Sequence, residues 1–171
     1  MISYIAAVLC GVLTLLADQF TKYCVSSDFA LGESREFLNG FIDLTYIHNR
    51  GGAWGILYGH TYILIPITLI IMALCIVLYV KYGKKSRLLL WAISLVLSGG
   101  IGNMIDRVFR GGNVVDFLHF EFFPTFPVFN VADCAIVVGA GLLILYFVLD
   151  AIREEKQKTA KKLSEQNDGK D

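Results

Sequence analysis

Between Arg50 and Lys81 the chain carries no formal charge, and between Arg87 and Asp106 it again carries none. Uncharged apolar runs of this length constrain the fold before anything else does, because roughly 20 such residues make a helix that crosses the hydrocarbon of a bilayer. Two further windows qualify, so the predicted spans are about 2–24, 62–80, 88–108 and 131–149. Of the 171 residues 56% are hydrophobic and 18% charged, which is too apolar for a soluble domain of this size. Backbone polar groups within lipid must bond internally, so the expected fold is an all-α membrane protein of four transmembrane helices. Residues 1–152 are read as one integral membrane domain, and 153–171 as a charged cytoplasmic tail, a frayed helix turning to disorder.

The net charge is zero but unevenly placed. Lys81, Lys84, Lys85 and Arg87 lie between spans two and three, and the tail from Arg153 adds further lysines. The positive-inside rule puts both segments and both termini in the cytoplasm, with loops 25–61 and 109–130 on the outer face. Leu9-Cys10-Gly11 looks superficially like a lipoprotein cleavage site, but no basic region precedes it, and Asp18 to Lys22 continue a helical pattern. The segment is read as a retained span. Cys10, Cys24, Cys75 and Cys134 show no metal-ligand spacing and read as small apolar helix residues. Cys134 beside Asp133 has no histidine near it in sequence to make a thiolate nucleophile. Nothing in the tail suggests nucleic acid.

The outer loops carry the chemistry. Loop one holds Phe37, Phe41, Ile42, Leu44, Tyr46 and Ile47, whose partial alternation suggests short strands forming a small β element on the membrane. It leads into His48-Asn49-Arg50-Gly51-Gly52-Ala53-Trp54-Gly55, where the glycines allow a sharp turn or a close approach of backbone to ligand. This is either a Trp-anchored loop re-entering the bilayer or a substrate-contacting loop in which Asn49 supplies hydrogen bonds. Span three ends with Ser98 and Gly102 at helix-packing spacing. There Asn103, Asp106, Arg107 and Arg110 share one face. A charge at the bilayer centre costs about 2.5–3.5 kcal/mol on insertion scales. The stripe lies nearer the end, where an Asp106–Arg110 ion pair that merely terminates the span is one explanation and a functional surface the other.

Loop three sets Asp116 among apolar neighbours in Val114-Val115-Asp116-Phe117, then returns past Pro124 and Pro127 to Asn130 and Asp133. Asn130 has the character of an N-cap and Asp133 of the third helical residue, where a carboxylate complements the helix dipole. Each acid alone has such a structural explanation. Both, however, lie at the outer mouth, where a pair of carboxylates can share one water. In aspartic proteases close like charges do not both ionise cheaply, so one carboxyl keeps its proton for the scissile carbonyl while the other takes a proton from water. Zinc and serine peptidase motifs are absent, and His48, His60 and His119 show no metal spacing. The rival classes are a small transporter or proton-conducting subunit, which needs acids near the midplane, and a non-catalytic assembly factor, in which Asp116 and Asp133 are individually replaceable.

Five segments in order carry a family resemblance: Asp18-Gln19-Phe20-Thr21-Lys22, Asn49-Arg50-Gly51-Gly52-Ala53-Trp54, Gly102-Asn103-Met104-Ile105-Asp106-Arg107, Val114-Val115-Asp116-Phe117 and Phe129-Asn130-Val131-Ala132-Asp133. In them the chain resembles the lipoprotein signal peptidases, bacterial enzymes that remove the signal peptide just before the diacylglyceryl-modified Cys of a prolipoprotein. The family usually carries Ala where Gly52 stands, a change that touches no chemistry. The resemblance implies a metal-free and cofactor-free aspartic endopeptidase with Asp116 and Asp133 as its dyad. It implies that Asn49, Asn103, Arg107 and Asn130 surround the dyad or contact substrate, and that Asp18 and Lys22 support the site. Gly51 and Asp106, in the same motifs, complete the expected set. It further implies an extracytoplasmic β cradle with a loop or short-helix flap from loop three. The expected setting is a monomer in the bacterial cytoplasmic membrane, both termini cytoplasmic, with diacylglyceryl-prolipoprotein and membrane lipid as partners.

Overall fold

Arg87 to Phe109 forms the helix on which the others are built. In the computed structural model, which describes residues 2–83 and 86–168, the order is α1 (Ile2–Asp28), β1 (Ser34–Leu38), β2 (Ile42–Asn49), a 3₁₀ turn (Ala53–Gly55), α2 (Thr61–Tyr82), α3 (Arg87–Phe109), β3 (Val114–Phe120) and α4 (Val131–Asp168). All four α-helices are long and apolar enough to cross a membrane, and the protein is a multi-pass membrane protein. The apolar stretch of α3 is 61% buried within the protein, against 6% for α2 and 17% for α1 and α4. The other three helices therefore pack around α3 and turn apolar faces to lipid. Leu89, Ile93 and Val96 of α3 meet Cys75 of α2 and Tyr146 of α4 in the principal apolar cluster.

Glycines set the α3–α4 distance. A Cβ on Gly139 would stand 2.8 Å from the Ala92 carbonyl oxygen, and one on Gly99 would run into the Ala132 carbonyl. The small-residue pair expected at Ser98 and Gly102 is buried. Its members serve different neighbours, Ser98 facing a crevice against α1 and α2 and Gly102 facing Asp18.

One end of the bundle carries a three-stranded antiparallel sheet in the order β1-β2-β3. Val115 and Phe117 pack with Val25 and Tyr46 under this sheet. The register pairs Ile47 with Asp116 and Asn49 with Val114, so Asn49 and Asp116 are diagonal neighbours on one face. Two placements differ from expectation. Loop three supplies the third strand of the sheet as well as the expected flap, which takes the loop form, a turn-rich return, and among the described residues the short 3₁₀ helix lies in loop one at Ala53–Gly55. Pairing of Val114–Phe120 with β2 satisfies backbone groups that a helix would satisfy internally. The second difference is α4, which does not stop near 149. It continues as helix through the tail expected to fray and turn to disorder, as far as Asp168. Lys, Glu, Gln and Ala favour helix, and Glu154 and Lys158 stand at ion-pairing spacing. Lys84, Lys85 and residues 169–171 lie outside the described residues.

Candidate active site

Lys22, on α1, has no solvent exposure. A buried ammonium is tolerated only with its donors fully used. Lys22 Nζ lies 2.9 Å from Asp18 Oδ2, 3.0 Å from Asp106 Oδ2 and 2.9 Å from Asn103 Oδ1. Three donors meet three acceptors, joining α1 to α3. Asp18 also accepts the backbone N–H of Ala132 at 2.8 Å, which places a carboxylate at the amino end of α4. This contact passes over Gly102, where a Cβ would come within 2.6 Å of Asp18 Oδ2. Asp106 accepts Arg110 Nε at 3.1 Å, the ion pair its spacing suggests, and the backbone N–H of Val115 at 3.1 Å. It therefore anchors β3 near its start, at the residue directly before Asp116.

Asn130 stands at the junction. Its Oδ1 accepts the N–H of Asp133 at 2.9 Å, and Asp133 Oδ2 accepts the N–H of Asn130 at 3.2 Å. This reciprocal cap starts α4 as its sequence suggests. The Asn130 amide is thereby oriented, and its Nδ2 donates to Asp116 Oδ1 at 2.6 Å. Asn103 Nδ2 donates to Asp133 Oδ1 at 2.7 Å. Asn49 Nδ2 donates to Asp116 Oδ2 at 2.9 Å, with its own Oδ1 held by the N–H of Gly51 at 2.8 Å. Arg107 closes the ring, with Nη2 donating to the Gly51 carbonyl at 3.0 Å. Arg107 Nε is buried without a hydrogen-bond partner. Asn49, Gly51, Asn103, Arg107 and Asn130 thus fall into one network with Lys22 and the acids expected at the site, Asp116 and Asp133 facing the groove and the Asp18–Lys22–Asp106 cluster behind them.

The groove has a volume of about 480 Å³. Asp116, Asp133, Asn49, Asn103 and Arg107 supply its polar side, and Trp54, Phe120, Phe126, Phe129, Val137 and Val138 its apolar walls. Trp54 meets Phe126 edge-on at 5.6 Å between ring centroids, and Phe126 meets Phe129 at 5.7 Å. Most of these walls went unrecognised in the sequence, because an apolar residue in a lipid-facing helix and one in a groove look alike there. Cys134 also lines the groove, with no histidine among the lining residues to activate it. Among the described residues no group of His, Cys, Asp and Glu side chains is arranged to hold a metal ion.

Asp116 is 1% exposed. Burial raises its pKa from 3.8 to about 7, and the negative charge of Asp133 adds to the rise. The hydrogen bonds from Asn49 and Asn130 and the charge of Lys22 oppose it without cancelling it. A carboxyl that keeps its proton near neutrality can donate a hydrogen bond, and a partner carboxylate in the same groove can accept a proton.

The profile of the family described as signal peptidase (SPase) II matches residues 10–149. A lipoprotein signal peptidase of Enterococcus faecalis is 44% identical over 83% of this chain and 88% of its own length. One of Halalkalibacterium halodurans is 40% identical over 94% of this chain and the whole of its own. Among solved structures, a bacterial membrane enzyme determined by the in meso method at 2.3 Å superposes with a TM-score of 0.81 at 35% identity, over 85% of this chain and 89% of that one.

Proposed function

The chain belongs to the signal peptidase II family, and from that premise we propose that it is an aspartic endopeptidase that cleaves diacylglyceryl-modified prolipoproteins just before the lipidated Cys. The observation that carries the aspartic reading is the Asn130 bridge. One residue donates from its side chain to Asp116 at 2.6 Å and from its backbone to Asp133 at 3.2 Å. Two carboxylates on different elements are thereby fixed at one groove.

In this reading Asp116, the more deeply buried acid, holds the shared proton and Asp133 is the ionised partner. Water between them gives a proton to Asp133 as its oxygen attacks the scissile carbonyl carbon. Asp116 protonates the carbonyl oxygen, giving a neutral tetrahedral intermediate. On collapse the C–N bond breaks, the departing amine takes the proton from Asp133, and Asp116 recovers its proton from a hydroxyl. Asn49, Asn103 and Asn130 keep both acids in register, and Arg107, tied to the Gly51 carbonyl, brings a positive charge to the groove wall. The apolar walls suit a signal peptide arriving from the bilayer, with the diacylglyceryl chains remaining in lipid. By the distribution of basic residues the site faces the outer side and both termini lie in the cytoplasm. The network is complete within one chain, which supports a monomer.

The test is cleavage of a purified diacylglyceryl-prolipoprotein, read by gel shift, with the wild type, Asp116→Asn and Asp133→Asn reconstituted in lipid and a chelator control. Both folded variants are expected to lose about 10²–10⁴-fold in rate, with no effect of chelator. Near wild-type cleavage by either variant, or abolition by chelator, would contradict the mechanism.

A further inference from the structure

Asn103 donates to Asp133 only because its amide points one way round. The carboxamide has a donor end and an acceptor end: Oδ1 accepts from Lys22 Nζ at 2.9 Å, with Asn130 Nδ2 a second, longer and uncharged donor at 3.2 Å, while Nδ2 faces Asp133 Oδ1 at 2.7 Å. An ammonium has no acceptor, so the reverse orientation would set the Asn103 NH₂ against the Lys22 NH₃⁺ and leave two donors facing each other in a buried site. The same cluster reaches Asp133 by a second arm, since Asp18, paired with Lys22 at 2.9 Å, holds the N–H of Ala132 at 2.8 Å.

We infer that Lys22 is a positioning residue for the reaction: its ammonium fixes the Asn103 amide so that it donates to Asp133, while its partner Asp18 fixes the turn that carries Asp133. Lys22 is not a lining residue of the groove. Its effect reaches the chemistry through Asn103 and Ala132, which distinguishes it from a helix-packing ion pair. The inference rests on the reading of Asp116 and Asp133 as the reacting pair.

The experiment is a double-mutant cycle on the full chain reconstituted in lipid, measuring kcat and KM for a diacylglyceryl-prolipoprotein with Lys22→Met, Asn103→Ala and the two combined. Lys22→Met is expected to lower kcat by about a hundredfold with KM little changed, and to cost clearly less than that once Asn103 is Ala, because only the arm through Asp18 and Ala132 then remains. Losses that multiply in the combined variant would overturn the inference, because Lys22 then acts independently of Asn103. Lys22→Met also takes the ammonium away from buried Asp18 and leaves Asp106 with Arg110 alone, so a charge-balanced variant, Lys22→Met with Asp106→Asn, is measured beside it. A recovered thermal midpoint with kcat still depressed supports positioning. Recovery of kcat as well would reduce Lys22 to charge balance and defeat the inference. An inactive wild type, or an Asp133→Asn variant at the wild-type rate, overturns the reading of the site and this inference with it.

Discussion

In the proposed mechanism Asp116 is the residue at which burial is turned into chemistry. Its pKa of about 7 lies above the unfolded value of 3.8, so between these two pH values the folded chain binds a proton that the unfolded chain has released. The stabilising contribution is complete below 3.8 and is lost as pH rises through about 7. Asp116→Asn, which cannot titrate, is expected to flatten the fall of the thermal midpoint across that interval, as measured by unfolding in lipid at several pH values. The same proton is needed for catalysis in the proposed mechanism. Cleavage by the wild type is therefore expected to decline as pH rises above about 7, checked by a pH–rate profile at saturating substrate. A rate that climbs through pH 8 would separate Asp116 from the proton-donating role.

At the scale of elements, the site depends on how closely α1, α3 and α4 approach. Gly102 lets the Asp18 carboxylate cross α3 to the first turn of α4, since a methyl there would lie 2.6 Å from Asp18 Oδ2. The neighbour is a buried, ion-paired carboxylate with no free direction of retreat. Gly102→Ala is expected to destabilise the protein by about 1–3 kcal/mol, the usual cost of overpacking. It should also slow cleavage, because Asp18 must leave the Ala132 N–H or move the turn bearing Asp133. Thermal unfolding and kcat on the same preparation check both effects. An unaltered rate would show that the Asp18 arm does not govern Asp133. The start of α4 serves two ends in the same way: the Asn130–Asp133 cap that begins the helix also aims Asn130 Nδ2 at Asp116.

Across the whole molecule, four spans bring the loop-borne and helix-borne acids to one end, where the sheet covers them. The proposed orientation has a direct check. In a cysteine-free background, a single Cys at Phe122 is expected to react with a membrane-impermeant maleimide in intact cells, and one at Thr159 only after lysis. The opposite pattern would place the groove in the cytoplasm and rule out a substrate delivered to the outer face.

Apolar run length and the missing charges between Arg50 and Lys81 determined the number of helices, because backbone in lipid has few alternatives to helix. The Asn130–Asp133 cap and the Asp106–Arg110 pair were also legible, since both are local and partner lies three or four residues from partner. The end of α4 was not, because a polar helix and a polar coil share much of their composition. The third strand was not legible either: Val114–Phe120 becomes a strand only by pairing with β2, from which long stretches of chain separate it. The tertiary structure alone decided that Lys22 meets Asn103, that Asp18 holds Ala132, and that Trp54 and Phe126 meet edge-on in the wall of a groove. Each of these contacts joins residues far apart in the chain, and their geometry is set by how closely three helices pack, which no local pattern records.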